Sequence, residues 1–179
     1  MIDTDETLIK AALSGEIQAF GNLIERHYDR IFALSFRLMG SKADAEDLTQ
    51  DVCAMLPMKL KHFEGRAKFT SWLYRLVVNK AHDLRRARAR YATATQGWGD
   101  WEGNRIAVID EDRARLQWLS TTMAELPDTL RDTLALILDG DLSHKDAAEI
   151  LNVSEGTISW RISDAKKRLK VLKDQEENQ

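Results

Sequence analysis

A chain of 179 residues, 44% hydrophobic and 31% charged, is long enough for one large core or two small ones and too polar for a membrane-embedded protein. Its single cysteine, Cys53, excludes an internal disulfide and a multi-cysteine zinc site. The formal net charge of −3 argues against a uniformly basic protein, so any contact with a polyanion must come from local patches.

The opening Met1-Ile2-Asp3-Thr4-Asp5-Glu6 is acidic and lacks the basic and apolar regions of a signal peptide. The longest apolar runs, such as Leu134–Leu138, fall far short of the roughly 20 residues that a spanning helix needs. The expected location is the cytoplasm, without membrane insertion.

Helical periodicity dominates and no alternating strand pattern is found, so the expected class is all-α. Four helices are expected up to about Arg90. The first is short and runs to about Ser14. The second, about Ile17–Met39, carries Phe20, Leu23, Ile24, Ile31, Leu34 and Leu38 on one face, with Gly40 placed to end it. Ser41-Lys42-Ala43-Asp44 resembles a capping box opening the third, whose face holds Ala45, Leu48, Val52, Met55 and Leu56. Pro57 is expected to kink that helix or end it early. A loop, His62–Lys68, leads to the fourth helix from about Thr70.

Periodicity fails from Tyr91 to Asp112, where Gly97, Gly99 and Gly103 mark a linker that also carries Trp98 and Trp101. Beyond it, Leu126-Pro127 opens a helix carrying Leu130, Leu134 and Ile137. Ser143-His144-Lys145-Asp146 caps a short helix ending at Leu151, and Ser154 caps a final helix with Ile158, Ile162, Ala165, Leu169 and Leu172 at helical spacing. The expected division is 1–92, a linker at 93–112, and 113–175.

Three constellations carry chemistry. The last two helices and their tight turn form a helix-turn-helix pattern, with Ala147, Ala148 and Leu151 allowing close packing. Such a unit projects the start of its second helix into a DNA major groove, here Ser154, Glu155, Thr157, Ser159 and Arg161, with Lys166 and Lys167 further along for phosphates. In the fourth helix, Phe69, Trp72, Leu73, Leu76 and Val77 form an apolar stripe. Lys68, Ser71, Arg75, Asn79, His82 and Arg86 form a polar, basic one opposite. With Phe63 nearby, that side offers cations for phosphates and aromatic rings for stacking on single-stranded DNA. In the third helix, Asp44, Asp47 and Asp51 line up with Gln50 close by. With no histidine or cysteine beside them, they suit a docking face for a basic partner better than a metal or catalytic site.

Asp44–Val52 reads DAEDLTQDV, Phe69–Asn79 FTSWLYRLVVN, Asp83–Arg86 DLRR, Leu126–Leu136 LPDTLRDTLAL, and Asp141–Ile162 DLSHKDAAEILNVSEGTISWRI. In this order they closely resemble the extracytoplasmic-function sigma factors of bacterial RNA polymerase. The resemblance implies two small helical domains, a four-helix region 2 and a helix-turn-helix region 4, in a protein that is not an enzyme and needs no cofactor or metal. It implies that Asp44, Asp47, Gln50 and Asp51 dock on core RNA polymerase. It further implies that Phe63, Lys68, Trp72, Arg75 and Asn79 capture the melted minus-ten strand, with Arg85 and Arg86 on its backbone, and that the last helix reads the minus-thirty-five element. An anti-sigma factor is an implied partner. Trp160, where the family often has serine, and Asp164, where a base is common, depart from the pattern. A stand-alone helix-turn-helix regulator and a sigma-like decoy for an anti-sigma factor are the alternatives.

Overall fold

The helices begin and end where short-range chemistry dictates. In a computed structural model describing residues 4–94, 118, 121–138 and 140–176, α1 spans Asp5–Leu13, α2 Ile17–Met39, α3 Lys42–Leu60 and α4 Phe69–Ala94. After residues 121–124, which are helical, come α5 (Asp128–Ile137), α6 (His144–Leu151) and α7 (Glu155–Glu176). No strand occurs among the described residues. Most of the expected linker, Trp98 and Trp101 included, lies outside them; α4 itself runs two residues past the expected end of the first domain, to Ala94.

Gly40 ends α2 in the left-handed region at φ 76°, a conformation that glycine adopts without a Cβ penalty. Ser41 then caps α3 by accepting from the Asp44 backbone N–H at 3.2 Å. At α6 the box is reciprocal. Ser143 Oγ accepts from the Asp146 N–H at 3.1 Å, and the Asp146 carboxylate accepts from the Ser143 N–H at 3.0 Å. The Ser143 hydroxyl, donating to the same carboxylate at 2.6 Å, and the Ser143 N–H hold the Asp146 carboxyl below the usual carboxylate range.

Of the two effects expected of Pro57, a kink or an early end, the early end does not occur: α3 runs on to Leu60. A proline removes only the bond to the carbonyl four residues back, and only one further turn follows it. Leu56 and Leu60, 1% and 2% exposed, flank it and hold that turn against the core.

α2 is the central post: α1, α3, α4 and α5 all pack on it. Leu23, Ile31, Leu34 and Leu38 are buried on it as expected, whereas Phe20 and Ile24 are only partly covered. α3 presents Leu48, Val52 and Leu56, and α4 presents Phe69, Leu73, Val77 and Ala81. Trp72 and Leu76 lie at the edge of that stripe, half-buried. A histidine that periodicity did not single out, His27, is also buried in α2. Its Nε2 lies 2.9 Å from Asp5 Oδ2, tying α1 to α2, yet burial outweighs the carboxylate and lowers its pKa, leaving the ring neutral near pH 7.

α5, α6 and α7 pack on one another around Leu130, Leu134, Leu136, Ala147, Ala148, Ile158 and Ala165. This C-terminal group rests against the N-terminal helices through α5 on α2 and α6 on α4, so the buried residues of both groups form one contiguous cluster.

Ser143→Ala removes the side-chain cap of α6 and leaves the Asp146 backbone N–H without its acceptor. The expected cost is about 1 kcal/mol, read as a lower urea midpoint with an unchanged slope.

Candidate nucleic-acid interface

The acidic stripe of α3 faces α4, and the structure divides its members. Asp44 takes both terminal nitrogens of the Arg88 guanidinium in a bidentate pair, which holds its carboxyl below the usual range and raises the Arg88 pKa. Asp51 pairs with Lys80 at 3.1 Å. Asp47 and Gln50 lie exposed between them. The stripe is therefore half committed to its own protein; Asp47, which also lies in the field of Arg88, and Gln50 remain exposed. Cys53, on the same helix, is half-buried, and desolvation pushes its thiol pKa up, away from a reactive thiolate.

The loop before α4 brings three aromatic rings together. Phe63 lies 5.1 Å from Trp72 and 5.6 Å from Phe69 between ring centroids, and Phe69 stacks on Trp72 at 5.6 Å. His27 closes the inner side edge-on to Phe69 at 5.2 Å. The fully buried Phe69 anchors the group, and Phe63 and Trp72 stay partly open. Of the expected cations, Lys68 and Arg86 are exposed, Arg86 with a 2.6 Å ion pair to Asp83; Asn79 is exposed as well.

Arg75 and Arg85 are occupied. Arg75 Nη2 donates to the Glu149 carbonyl of α6 at 2.5 Å. Arg85 donates to Asp132 of α5 at 2.8 Å and lies 3.4 Å from the Leu38 carbonyl. Ser71, which the sequence places on the polar stripe, is 6% exposed. The side read from periodicity as solvent- or DNA-facing thus touches the C-terminal helices at Arg75 and His82 and stays exposed at Lys68, Arg75, Asn79 and Arg86.

The helix-turn-helix forms as expected. Asn152, at φ 54°, ψ 49°, ends α6 in the left-handed region, and Ser154 Oγ caps α7 by accepting from the Thr157 N–H at 3.1 Å. Ser154 and Thr157 hydroxyls also bond to each other at 2.9 Å, and Ser159 bonds to His144 at 3.2 Å. Glu155, Ser159, Lys166 and Lys167 are exposed, Thr157 and Arg161 half-buried. Asp164 pairs with Arg168 at 3.0 Å, so this acid cancels a cation of its own helix. Trp160, 63% exposed on the same outer surface, was visible in sequence only as a departure from a familiar pattern. An indole of that size facing water on a recognition helix offers a flat apolar surface to base edges.

Among the described residues no cluster of three or more metal-ligating side chains occurs. No described helix is long and apolar enough to cross a membrane.

An aromatic-and-basic helix joined to a helix-turn-helix unit is the arrangement of sigma-70-type transcription initiation proteins. Residues 23–91 match the family model of sigma-70 region 2, and residues 116–169 match that of sigma-70 region 4. The chain is 30% identical to the ECF RNA polymerase sigma factor SigW of Bacillus subtilis, covering 93% of this chain and 95% of that protein. Among solved structures, CnrH in complex with the cytosolic domain of CnrY superposes with a TM-score of 0.71 at 28% identity, over 96% of this chain and 98% of that one. RpoE of Bartonella quintana, solved with the anti-sigma factor NepR, shares the fold with a TM-score of 0.71 at 24% identity, over 88% of this chain and 98% of that one. The chain belongs to the ECF sigma factors of bacterial RNA polymerase, which are initiation factors and not enzymes.

The Asp44–Arg88 pair sets a pH dependence. A carboxyl whose folded pKa is depressed contributes stability that is present above its unfolded value of about 3.9 and is lost as pH falls through the folded value. Asp44→Asn is expected to lower the denaturant midpoint at neutral pH. As pH falls through the folded value, the difference from the native chain shrinks towards zero.

Proposed function

We propose that this sigma factor docks on core polymerase through Asp47 and Gln50, flanked by Asp44 and Asp51. It captures the melted minus-ten strand with Phe63, Lys68, Trp72, Arg75 and Asn79, with Arg85 and Arg86 on phosphates. It reads the minus-thirty-five duplex with Ser154, Glu155, Thr157, Ser159 and Arg161, with Lys166 and Lys167 on the backbone. The division into residues 1–92, a linker at 93–112 and residues 113–175 serves these separate contacts.

The observation that carries this is the partly open Phe63–Trp72 pair on a buried Phe69, at the head of a helix rich in cations. Unstacking a base costs a few kcal/mol, and aromatic walls with phosphate-binding cations beside them offset that cost. A duplex-only regulator has no use for such a cluster. An anti-sigma factor is the proposed regulator, in keeping with the CnrH and RpoE structures, both solved with a bound partner. The proposed location is the cytoplasm, at the inner membrane face while a membrane-anchored anti-sigma factor holds it.

The test is run-off transcription with purified bacterial core polymerase on a genomic promoter library. Discrete new transcripts are expected with the protein and none without it. Asp47→Arg, a charge reversal at an exposed position, is expected to cut transcript yield at least tenfold, equivalent to about 1.4 kcal/mol of core binding. DNA binding without transcripts at any promoter is the result of a stand-alone regulator; neither binding nor transcripts is that of a decoy.

Phe63→Ala separates melting from recruitment. The variant is expected to retain binding to duplex promoter in the holoenzyme while losing permanganate reactivity of minus-ten thymines. Loss of duplex binding in the same variant would count against the assigned role.

A further inference from the structure

Trp160 is 63% exposed on the helix proposed above to enter a DNA groove. Ile158 and Ala165, each 0% exposed, mark the inner face of α7, with Ile162 and Leu169 partly buried beside them. At 3.6 residues per turn, Trp160, two residues on from Ile158, lies on the opposite side of the helix. Helical side chains lean towards the N-terminus, over the turn before their own Cα. The residue in that direction, four back, is Gly156, which is exposed and offers no side chain. Apart from the helix's own backbone, a Cβ at that position would meet only Ser154 Oγ, 3.8 Å away. The indole therefore has bare first-turn backbone beside it, at the end of α7 from which a recognition helix touches base edges.

Its surroundings suit a polyanion. Ser163 and Lys167, three and seven residues on, share its side of the helix and are exposed, as is Lys166 next to them. Asp164, four residues on, is paired with Arg168 at 3.0 Å, so its charge is met within the helix and does not offset those lysines. Short hydroxyls near the start of α7 are already engaged, Ser154 with Thr157 at 2.9 Å and Ser159 with His144 at 3.2 Å. A protein surface could also cover an indole, but lysines beside it favour phosphate.

We infer that Trp160 is a specificity-determining residue of the minus-thirty-five contact, selecting a thymine through its C5-methyl group. This rests on the role proposed above for α7. In the major groove base edges display hydrogen-bond donors and acceptors, and the thymine methyl is the apolar feature among them. Against that methyl the carbon face of an indole buries apolar surface on both sides. Against the other bases it takes polar groups out of water without pairing them. A serine in its place bonds to several kinds of base edge and so selects weakly. The phosphate contacts of Lys166 and Lys167 strengthen binding without choosing a base.

The test uses holoenzyme assembled from purified bacterial core polymerase and the full chain, native or with Trp160→Ser or Trp160→Phe. A promoter from the run-off screen, randomised across its minus-thirty-five segment, is selected for binding and sequenced. The native chain is expected to enrich thymine at one position where Trp160→Ser shows no preference and Trp160→Phe retains it. Preferences elsewhere in the segment are expected to stay the same, which also shows that α7 of the variants is folded. Replacing that thymine by uracil removes only the methyl. It is expected to weaken native binding about fourfold, the worth of one buried methyl group, and to leave Trp160→Ser unchanged. Identical selection by native and Trp160→Ser chains overturns the inference and assigns the indole to a protein partner. Native binding indifferent to uracil at every selected thymine overturns it as well. A native holoenzyme that selects no minus-thirty-five sequence refutes the reading of α7 itself, and the inference with it.

Discussion

One helix has to satisfy two incompatible solvents. The apolar stripe of α4, with Leu73, Val77 and Ala81 fully buried, closes the N-terminal core against α2 and α3. Because 3.6 residues make a turn, every cation the helix carries is then forced to the flanks and the opposite side. A row of guanidinium and ammonium groups there repels itself and must find anions. DNA phosphate is one source. In the free chain the source is the protein's own carboxylates: Asp44 for Arg88, Asp51 for Lys80, Asp83 for Arg86 and Asp132 for Arg85.

That exchange accounts for an acidic protein that works on DNA. The net charge of −3 is not spread evenly; acids sit where they meet cations that a nucleic acid would otherwise meet. They act as built-in counterions, and displacing them resembles the release of condensed ions when a protein binds a duplex. The exposed pairs, such as Arg86 with Asp83, contribute little to stability and yield readily. Asp132 differs because both it and Arg85 are shielded from water, so their separation requires the two halves to part and rehydrate together.

How much of this was legible in the sequence follows from the range of the forces involved. Gly40, Ser41, Ser143 and Ser154 act within four residues, and the helix ends they dictate appear where the sequence puts them. The apolar stripes of α2 and α4 were legible for the same reason. Pro57 does not bring the early end that was one of its two expected effects, because the local rule weighs one lost hydrogen bond, whereas the burial of Leu56 and Leu60 on either side is a tertiary matter. The polar stripe of α4 was legible as a stripe but not in its destination. That Lys68, Arg75 and His82 meet α5, α6 and the turn between them depends on how distant segments dock, and no periodicity encodes it. Asp132, one acid within LRDTLAL, has no local mark separating it from Asp128, which remains 59% exposed. The acidic stripe of α3 was found as a unit, yet only the fold divides it into engaged Asp44 and Asp51 and open Asp47 and Gln50.

The asymmetry of the closed form orders the events of binding. Trp160, Lys166 and Lys167 are exposed on α7, so the proposed duplex contact through them needs no prior opening. The proposed strand capture engages Arg75 and Arg85, which in the free chain are bonded to α6 and α5. A protein that bound single strands freely would be drawn to any exposed one, since phosphate contacts carry no sequence information. Tying the unselective contacts to a buried pair, while the sequence-reading helix stays exposed, makes the selective contact the one available first. In the proposed mechanism, docking on polymerase through Asp47 and Gln50 of α3 comes before the cations of α4 meet a strand that the promoter has already chosen.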